Sequence, residues 1–173
     1  MAADTPNPAA RPSLAAMTTM FVATALAMIG NYYVYDSIGP VAEMLSRQLG
    51  YTDTQIGVLN AVYSLPNIVM VLIGGILVDR LSARVVTLAT TIICFAGAVL
   101  TASGAEFATM VAGRLLFGLG ADTMIVAITV AFAQWFVGRY FALLFALNIT
   151  FARLGSYLAD RSPSFASDLY AQG

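Results

Sequence analysis

The chain has 173 residues and a formal net charge of −1, with 60% apolar and only 10% charged residues, a composition that excludes an ordinary water-soluble globule. With no His and one Cys, it lacks the residues for a zinc site, a haem site or a Ser-His-Asp triad, so we expect no metal, no cofactor and no enzymatic activity. Because the basic residues do not outnumber the acidic ones, nucleic acid is not an expected partner. The composition predicts an all-α fold, a polytopic bundle of membrane helices.

Five apolar stretches, each long enough to cross a hydrocarbon core of about 30 Å, follow one another along the chain. The predicted spans cover residues 14–37, 54–78, 84–104, 107–135 and 139–159. Residues 1–13 and 160–173 are predicted to form tails at the two ends of this bundle. Short turns are expected between the spans, and only the polar stretch from Asp36 to Asp53 leaves room for more. Pro66 predicts a kink inside the second span.

Arginines near the span ends predict the orientation, because cytoplasmic loops are enriched in basic residues. With the amino terminus inside, the cytoplasmic arginines are Arg11, Arg80, Arg84 and Arg139, and the outer ones are Arg47 and Arg161. This distribution favours a cytoplasmic amino-terminal tail. The odd number of spans then places residues 160–173 on the outer face.

The turn between the second and third spans carries a recognisable motif. It reads Gly74-Gly75-Ile76-Leu77-Val78-Asp79-Arg80-Leu81-Ser82-Ala83-Arg84. This string resembles the signature loop of the major facilitator superfamily, in which a Gly, three apolar residues, an Asp-Arg pair and a further basic residue link helices two and three. Ser82 stands where that family usually has a second Gly. The resemblance implies that Gly75 allows a close helix approach and that Asp79, Arg80 and Arg84 act in coupling or gating.

A second motif lies in the fourth span, which reads Gly113-Arg114-Leu115-Leu116-Phe117-Gly118-Leu119-Gly120 and resembles the Arg-x-x-x-Gly-x-Gly motif of the same family. Gly118 and Gly120 are equally explained by simple helix packing. Shorter strings resemble the branch that contains the lysosomal dipeptide transporter of animals and its bacterial relatives. They are Tyr35-Asp36, Tyr63-Ser64-Leu65-Pro66-Asn67, Gly120-Ala121-Asp122 and Ala152-Arg153-Leu154-Gly155-Ser156.

The resemblance implies a transporter of two six-helix halves with the substrate held between them, of which five spans supply most of the amino-terminal half. We expect secondary active or facilitative transport by alternating access, to which this chain contributes one part. It would be a piece of a longer transporter, a half-size protein with a partner subunit, or a structural or assembly component of a membrane complex. The expected partners are the lipid bilayer, a small-molecule substrate and a second half. The expected location is the plasma (inner) membrane, or a lysosomal-type membrane in a eukaryote.

Three charged residues fall inside the predicted spans, and an ionisable residue within the membrane is a functional candidate because burying it is costly. Arg114 and Arg153 are predicted at one depth, with Asp122 nearer the cytoplasm. Because Arg grips carboxylates in two places, we expect Arg153, together with Arg114, to bind a substrate carboxylate. For Arg114 the alternative is a clamp onto backbone carbonyls. Asp122 could couple protons, bind a substrate amino group or satisfy nearby backbone groups.

Phenol and amide side chains are predicted in the same layer as the two arginines. Tyr32, Tyr35, Tyr63 and Asn67 are candidate substrate-binding residues, although Tyr35 equally fits the aromatic belt at the membrane surface. A layer of arginines, phenols and amides suits a small zwitterionic or anionic solute. A dipeptide or a short organic acid is therefore the favoured substrate.

Overall fold

The computed structural model of the protein describes residues 13–136 and 138–165, and this part of the chain contains helices and turns but no strand. The helices are α1 (Leu14–Asp36), α2 (Ile38–Leu49), α3 (Asp53–Ala61), α4 (Asn67–Leu81), α5 (Ala83–Ser103), α6 (Phe107–Trp135) and α7 (Arg139–Phe165), with a short 3-10 helix at Val62–Ser64. The all-α prediction is confirmed.

Five helical segments of the described chain are long and apolar enough to cross a membrane. They are Leu14–Leu49, Asp53–Leu81, Ala83–Ser103, Phe107–Trp135 and Tyr140–Phe165. This confirms the predicted five-span bundle. The last helix continues six residues past the predicted boundary at residue 159, to Phe165. Residues 1–12 and 166–173, which make up most of the two predicted tails, lie outside the described residues.

The first two spans are each interrupted, and a proline accompanies each interruption. The first span changes from α1 to α2 at Ser37, three residues before Pro40. The second span changes from α3 to the 3-10 helix just before Pro66, and α4 begins after it, which confirms the predicted kink. Proline lacks the N–H that would bond to the carbonyl four residues earlier and also crowds that carbonyl, so each span is interrupted in the turn that precedes its proline.

Helix α2 is a difference from the sequence prediction, which left the stretch from Asp36 to Asp53 without a helix. Ile38 and Leu45 of α2 are buried and pack in one cluster with Tyr51, Leu59 and Met110. Two apolar residues seven positions apart face the same side of a helix, so this short segment is stabilised by packing on the bundle.

Glycines allow the closest helix contacts. A Cβ at Gly113 would lie 2.5 Å from the backbone nitrogen of Thr101, and one at Gly120 would lie 2.8 Å from the carbonyl oxygen of Thr90, so α5 and α6 touch backbone to backbone. Gly118 lies equally tightly against the carbonyl group of Tyr63. The packing interpretation of the second motif is therefore confirmed, in line with the use of small residues at membrane helix contacts.

The contact between α1 and α7 is fixed in the same way. Gly155 of α7 lies against the carbonyl group of Ile29 of α1, with no room for a Cβ. Seven residues earlier, the Nδ2 of the fully buried Asn148 donates to Thr24 Oγ1 at 3.4 Å. One close backbone contact and one polar pair therefore set the position of α7 against α1.

Candidate functional site

Arg114 of α6 is completely buried and acts as a clamp on three backbone carbonyl groups. Its Nη1 donates to the Val34 oxygen at 2.7 Å, its Nη2 to the Tyr35 oxygen at 2.9 Å and its Nε to the Leu59 oxygen at 3.1 Å. The side chain is 0% exposed. The structure thus supports the alternative of a clamp for Arg114, and this guanidinium does not face an open cleft.

The clamp works because its acceptors lie beside the two helix interruptions. Val34 and Tyr35 lie in the last turn of α1, and Leu59 lies in the last turn of α3. The carbonyls of a last helical turn lack the usual intrahelical partners and carry partial negative charge, so they suit a cation that brings several donors. One arginine therefore binds three carbonyls at the helix interruptions, of which the Val34 oxygen also accepts from the N–H and the hydroxyl of Ser37.

Five side chains from α1, α6, α7 and the 3-10 helix follow one another in contact, and we call them the arginine–tyrosine row. The Arg153 guanidinium carbon lies 5.7 Å from the ring centre of Tyr32. The ring centres of Tyr32 and Tyr35 are 5.8 Å apart, and those of Tyr35 and Tyr63 are 4.4 Å apart. Arg114 ends the row, with its guanidinium carbon 4.8 Å from the Tyr63 ring centre. The structure therefore brings together the two arginines and three tyrosines that the sequence placed in one layer.

Arg153 differs from Arg114 in exposure and in hydrogen bonding, although each guanidinium group lies near a tyrosine ring. It is exposed and makes no hydrogen bond or ion pair with any residue of the described chain. It lies 14 residues after the start of α7 and 12 before its end, about 21 Å and about 18 Å by helical rise. A cation halfway along a membrane-length helix is therefore left with a single ring contact and free N–H donors.

The other predicted binding residues are partly covered. Tyr63 is 8% exposed, beneath Arg114 and beside Tyr35. Asn67 begins α4, and its buried Oδ1 has no hydrogen-bond partner among the described residues. Tyr32 and Tyr35 are half-buried. The open side of the row is thus formed by Arg153, Tyr32 and Tyr35.

Asp122 lies two turns beyond Arg114 on α6 and is half-buried. It makes no hydrogen bond or ion pair within the described part of the chain. Arg114 and Asp122, eight residues apart on α6, form no ion pair with each other. Asp122 therefore satisfies no backbone group among the described residues, and proton coupling and binding of a substrate amino group stay predictions.

The charged residues of the first motif lie at the turn between α4 and α5. Asp79, Arg80 and Arg84 are exposed, and none forms an ion pair with a described residue. A Cβ on Gly75 would meet nothing within 4 Å in the described chain, whereas one on Gly74 would lie 3.2 Å from the Thr123 side chain. The close helix approach among the described residues is therefore made by Gly74, and Gly75 makes no such contact with them.

Ser82 ends α4 with φ 80° and ψ 146°. Glycine reaches this region easily, but a residue with a Cβ is strained there. The side chain of Ser82 makes no capping hydrogen bond to offset that strain. The departure from the family pattern noted in the sequence therefore falls where the backbone favours glycine.

A cavity of about 240 Å³ lies between α1, α5 and α6. Its wall is mainly apolar, but Asn31 lines it, is 5% exposed and has an Oδ1 with no partner among the described residues. No described residue of α7 lines this cavity, so it is separate from Arg153.

Two features of the site were not predicted. The sequence suggested that Arg114 could bind backbone carbonyls, but it did not identify them, because no residue type marks a backbone acceptor. The Asn148 and Thr24 pair was also missed, although a polar residue four positions from the small residue Ala152 on one helix face is a usable sign of an interhelical contact.

Residues 20–160 match the sequence profile of the Major Facilitator Superfamily, and the chain belongs to that family. Together with the five segments long and apolar enough to span a bilayer, this makes the protein an integral membrane protein that crosses the membrane several times. The resemblance drawn from the two motifs is confirmed.

Curated relatives are named as transporters. The chain is 32% identical over 131 residues to the lysosomal dipeptide transporter MFSD1 of Danio rerio and 33% identical over 131 residues to that of Homo sapiens, and each alignment covers 73% of this chain and 28% of the relative. It is 24% identical over 119 residues to the probable sulfoacetate transporter SauU of Cupriavidus necator, covering 69% of this chain and 28% of that protein. The matched region is thus little more than a quarter of the length of these relatives.

Proposed function

We propose that the chain is part of a transporter that moves a small polar organic solute across the membrane by alternating access, by secondary active or facilitative transport. Family membership supports this proposal, and so do the names of the relatives. Dipeptides and sulfoacetate share a carboxylate. A carboxylate-bearing solute, either a dipeptide or an organic acid, is accordingly the substrate class that we favour.

The observation that carries the proposal is that Arg153 is exposed and makes no hydrogen bond or ion pair within the described chain. A charged side chain at the centre of a lipid-facing helix costs about 2.5–3.5 kcal/mol on insertion scales, so it is retained where it meets water, a partner or a ligand. Within the described chain the Arg153 guanidinium lies over the Tyr32 ring and makes no hydrogen bond or ion pair, so its N–H donors are free. Guanidinium groups bind carboxylates through two parallel hydrogen bonds. Arg153 is therefore proposed as the carboxylate-binding residue, with Tyr32 and Tyr35 beside it.

A second helical half, in the same longer chain or as a partner subunit, completes the proposed transporter. Exposed groups without ion pairs in the described chain support this part of the proposal: Asp79, Arg80 and Arg84 at the α4–α5 turn, with the open surface at Gly75. We assign these residues, and Asp122 within α6, to coupling or gating. The amino terminus is proposed to be cytoplasmic.

The test is uptake by protein purified from its native membrane through an amino-terminal tag, with everything that co-purifies, and reconstituted into proteoliposomes. The probes are alanyl-alanine and succinate. We expect saturable uptake of one of them, reduced at least about tenfold by Arg153→Gln because the paired hydrogen bonds are lost.

Arg161→Gln is the matched control. Arg161 is exposed on the same helix, with its guanidinium carbon 5.6 Å from the Tyr157 ring centre, so it shares the residue type and the ring contact. This variant should keep uptake within about twofold of the unmodified protein. Equal uptake by Arg153→Gln and unmodified protein would remove Arg153 from the site. No uptake of either probe would contradict transport of this substrate class and favour the alternative, a structural or assembly component.

A further inference from the structure

We propose that Tyr32 is a positioning residue for Arg153: its ring face, and not its hydroxyl group, holds the guanidinium in the direction in which it meets a carboxylate. This inference rests on the proposed function, because it concerns the same carboxylate site. It assigns to Tyr32 a role that does not require contact with the substrate.

The contact geometry supports a role for the ring. The Arg153 guanidinium carbon lies 5.7 Å from the Tyr32 ring centre, within the distance of about 6 Å at which a cation is attracted by an aromatic face. This attraction uses the charge of the guanidinium and requires no N–H donor. Arg153 can therefore be oriented by Tyr32 while its N–H donors stay free for a ligand.

The ring of Tyr32 is itself held in place. It packs against the buried cluster that includes Met28, Met124 and Phe132, and it lies beside the Tyr35 ring. The Tyr35 ring in turn meets Tyr63, which is fixed under the fully buried Arg114. A flexible side chain such as Arg is most effectively oriented by a partner whose own position is determined by packing.

The backbone also fixes the distance between the two residues. Gly155, two residues after Arg153, lies against the carbonyl group of Ile29, three residues before Tyr32. Because the close contact between α1 and α7 is so near, the two side chains emerge from backbones that cannot separate without losing it. The structure thus supplies a fixed base for Arg153 and a fixed ring beside it.

The experiment compares Tyr32→Phe with Tyr32→Leu in the reconstituted native material. The readouts are KM and kcat for the transported probe, alanyl-alanine or succinate, and the uptake ratio of that probe to its amide, alanyl-alaninamide or succinamide, which lacks the carboxylate. Phe keeps the ring, so KM should stay within about twofold of the unmodified value; Leu removes it, and KM should rise about fivefold to tenfold with kcat little changed. The ratio compares two probes on the same folded molecules, so a lower yield of folded protein does not alter it.

Two further variants separate this inference from the proposed function. Tyr33→Leu is the matched control, since Tyr33 is the next residue of α1, is 39% exposed and makes no ring contact or hydrogen bond with the described residues, so it should leave KM unchanged. Adding Tyr32→Leu to Arg153→Gln should cause no further loss of uptake, because the residue that is positioned is already gone.

A rise in KM for Tyr32→Phe as large as that for Tyr32→Leu would overturn the inference and assign the hydroxyl to the substrate. If Arg153→Gln lowers uptake and Tyr32→Leu does not, the inference fails alone; if neither does, both proposals fail.

Discussion

Arg114 and Arg153 are the same residue type, lie at the two ends of one row of tyrosines, and have opposite surroundings. Arg114 is 0% exposed and donates to three carbonyl oxygens, whereas Arg153 is exposed and has a ring as its contact. The difference shows that a charge inside a membrane protein has two separate explanations. It can satisfy backbone groups of the protein itself, or it can be kept available for a ligand, and the pattern of hydrogen-bond partners distinguishes the two.

The largest effect on the free energy of unfolding is expected for substitutions of Arg114. Arg114→Gln should lower the free energy of unfolding by about 2–4 kcal/mol, because the buried carbonyl of Leu59 and the part-buried carbonyls of Val34 and Tyr35 lose charge-assisted hydrogen bonds. The free energy of unfolding of Arg114→Lys should lie between those of the unmodified protein and Arg114→Gln, since an ammonium group lacks the forked N–H donors that reach three acceptors. Unfolding in mixed micelles can be followed through the single tryptophan, Trp135.

The same substitution at the other end of the row provides the control for that prediction. Arg153→Gln should change the free energy of unfolding by less than about 0.5 kcal/mol, as expected for an exposed residue without hydrogen bonds in the described chain. Equal destabilisation by the two Gln variants would contradict the difference in role between Arg114 and Arg153, because it would mean that both arginines stabilise the fold.

A smaller effect is expected at Gly155, on the buried side of the helix that carries Arg153. Gly155→Ala should cost about 1–3 kcal/mol, since the new methyl group meets the Ile29 carbonyl, which belongs to the backbone and cannot turn aside. Gly30→Ala on α1 is the control, because a Cβ there meets nothing within 4 Å, and Ala should stabilise the helix by up to about 1 kcal/mol.

The unfolding assay used for Arg114 measures both alanine variants. A neutral Gly155→Ala would show that α1 and α7 can separate. The fixed distance between Tyr32 and Arg153 would then lose its basis.

The smallest effect is expected at Ser82, far from both arginines. Ser82→Gly should raise the free energy of unfolding by about 1 kcal/mol, because Gly adopts the positive φ of 80° without strain. Ser82→Ala keeps the Cβ and should give no gain, as the Ser side chain makes no capping bond. An equal gain from Ala and Gly would contradict the strain at this turn.

Composition, segment length and proline chemistry were sufficient to predict five spans and the kink at Pro66, because those depend on local properties of the chain. Helix α2 was missed because its charged residues made the stretch resemble a polar loop, although Ile38, Val41 and Leu45 recur at helical spacing. Its stability comes from packing on the cluster around Tyr51 and Leu59. Of the site, residue types and helical rise predicted the shared layer of arginines and tyrosines. They could not decide between clamp and ligand for Arg114, because that depends on carbonyl groups of Val34, Tyr35 and Leu59, which every sequence contains.

The clamp also bears on how the protein is made. The acceptors on Val34, Tyr35 and Leu59 precede Arg114 by 80, 79 and 55 residues, so the ribosome synthesises all three residues before it synthesises Arg114. Because early segments insert and fold first, the carbonyl groups are already in the bilayer when α6 arrives. The order of synthesis therefore makes the three carbonyl groups available before Arg114 leaves the ribosome.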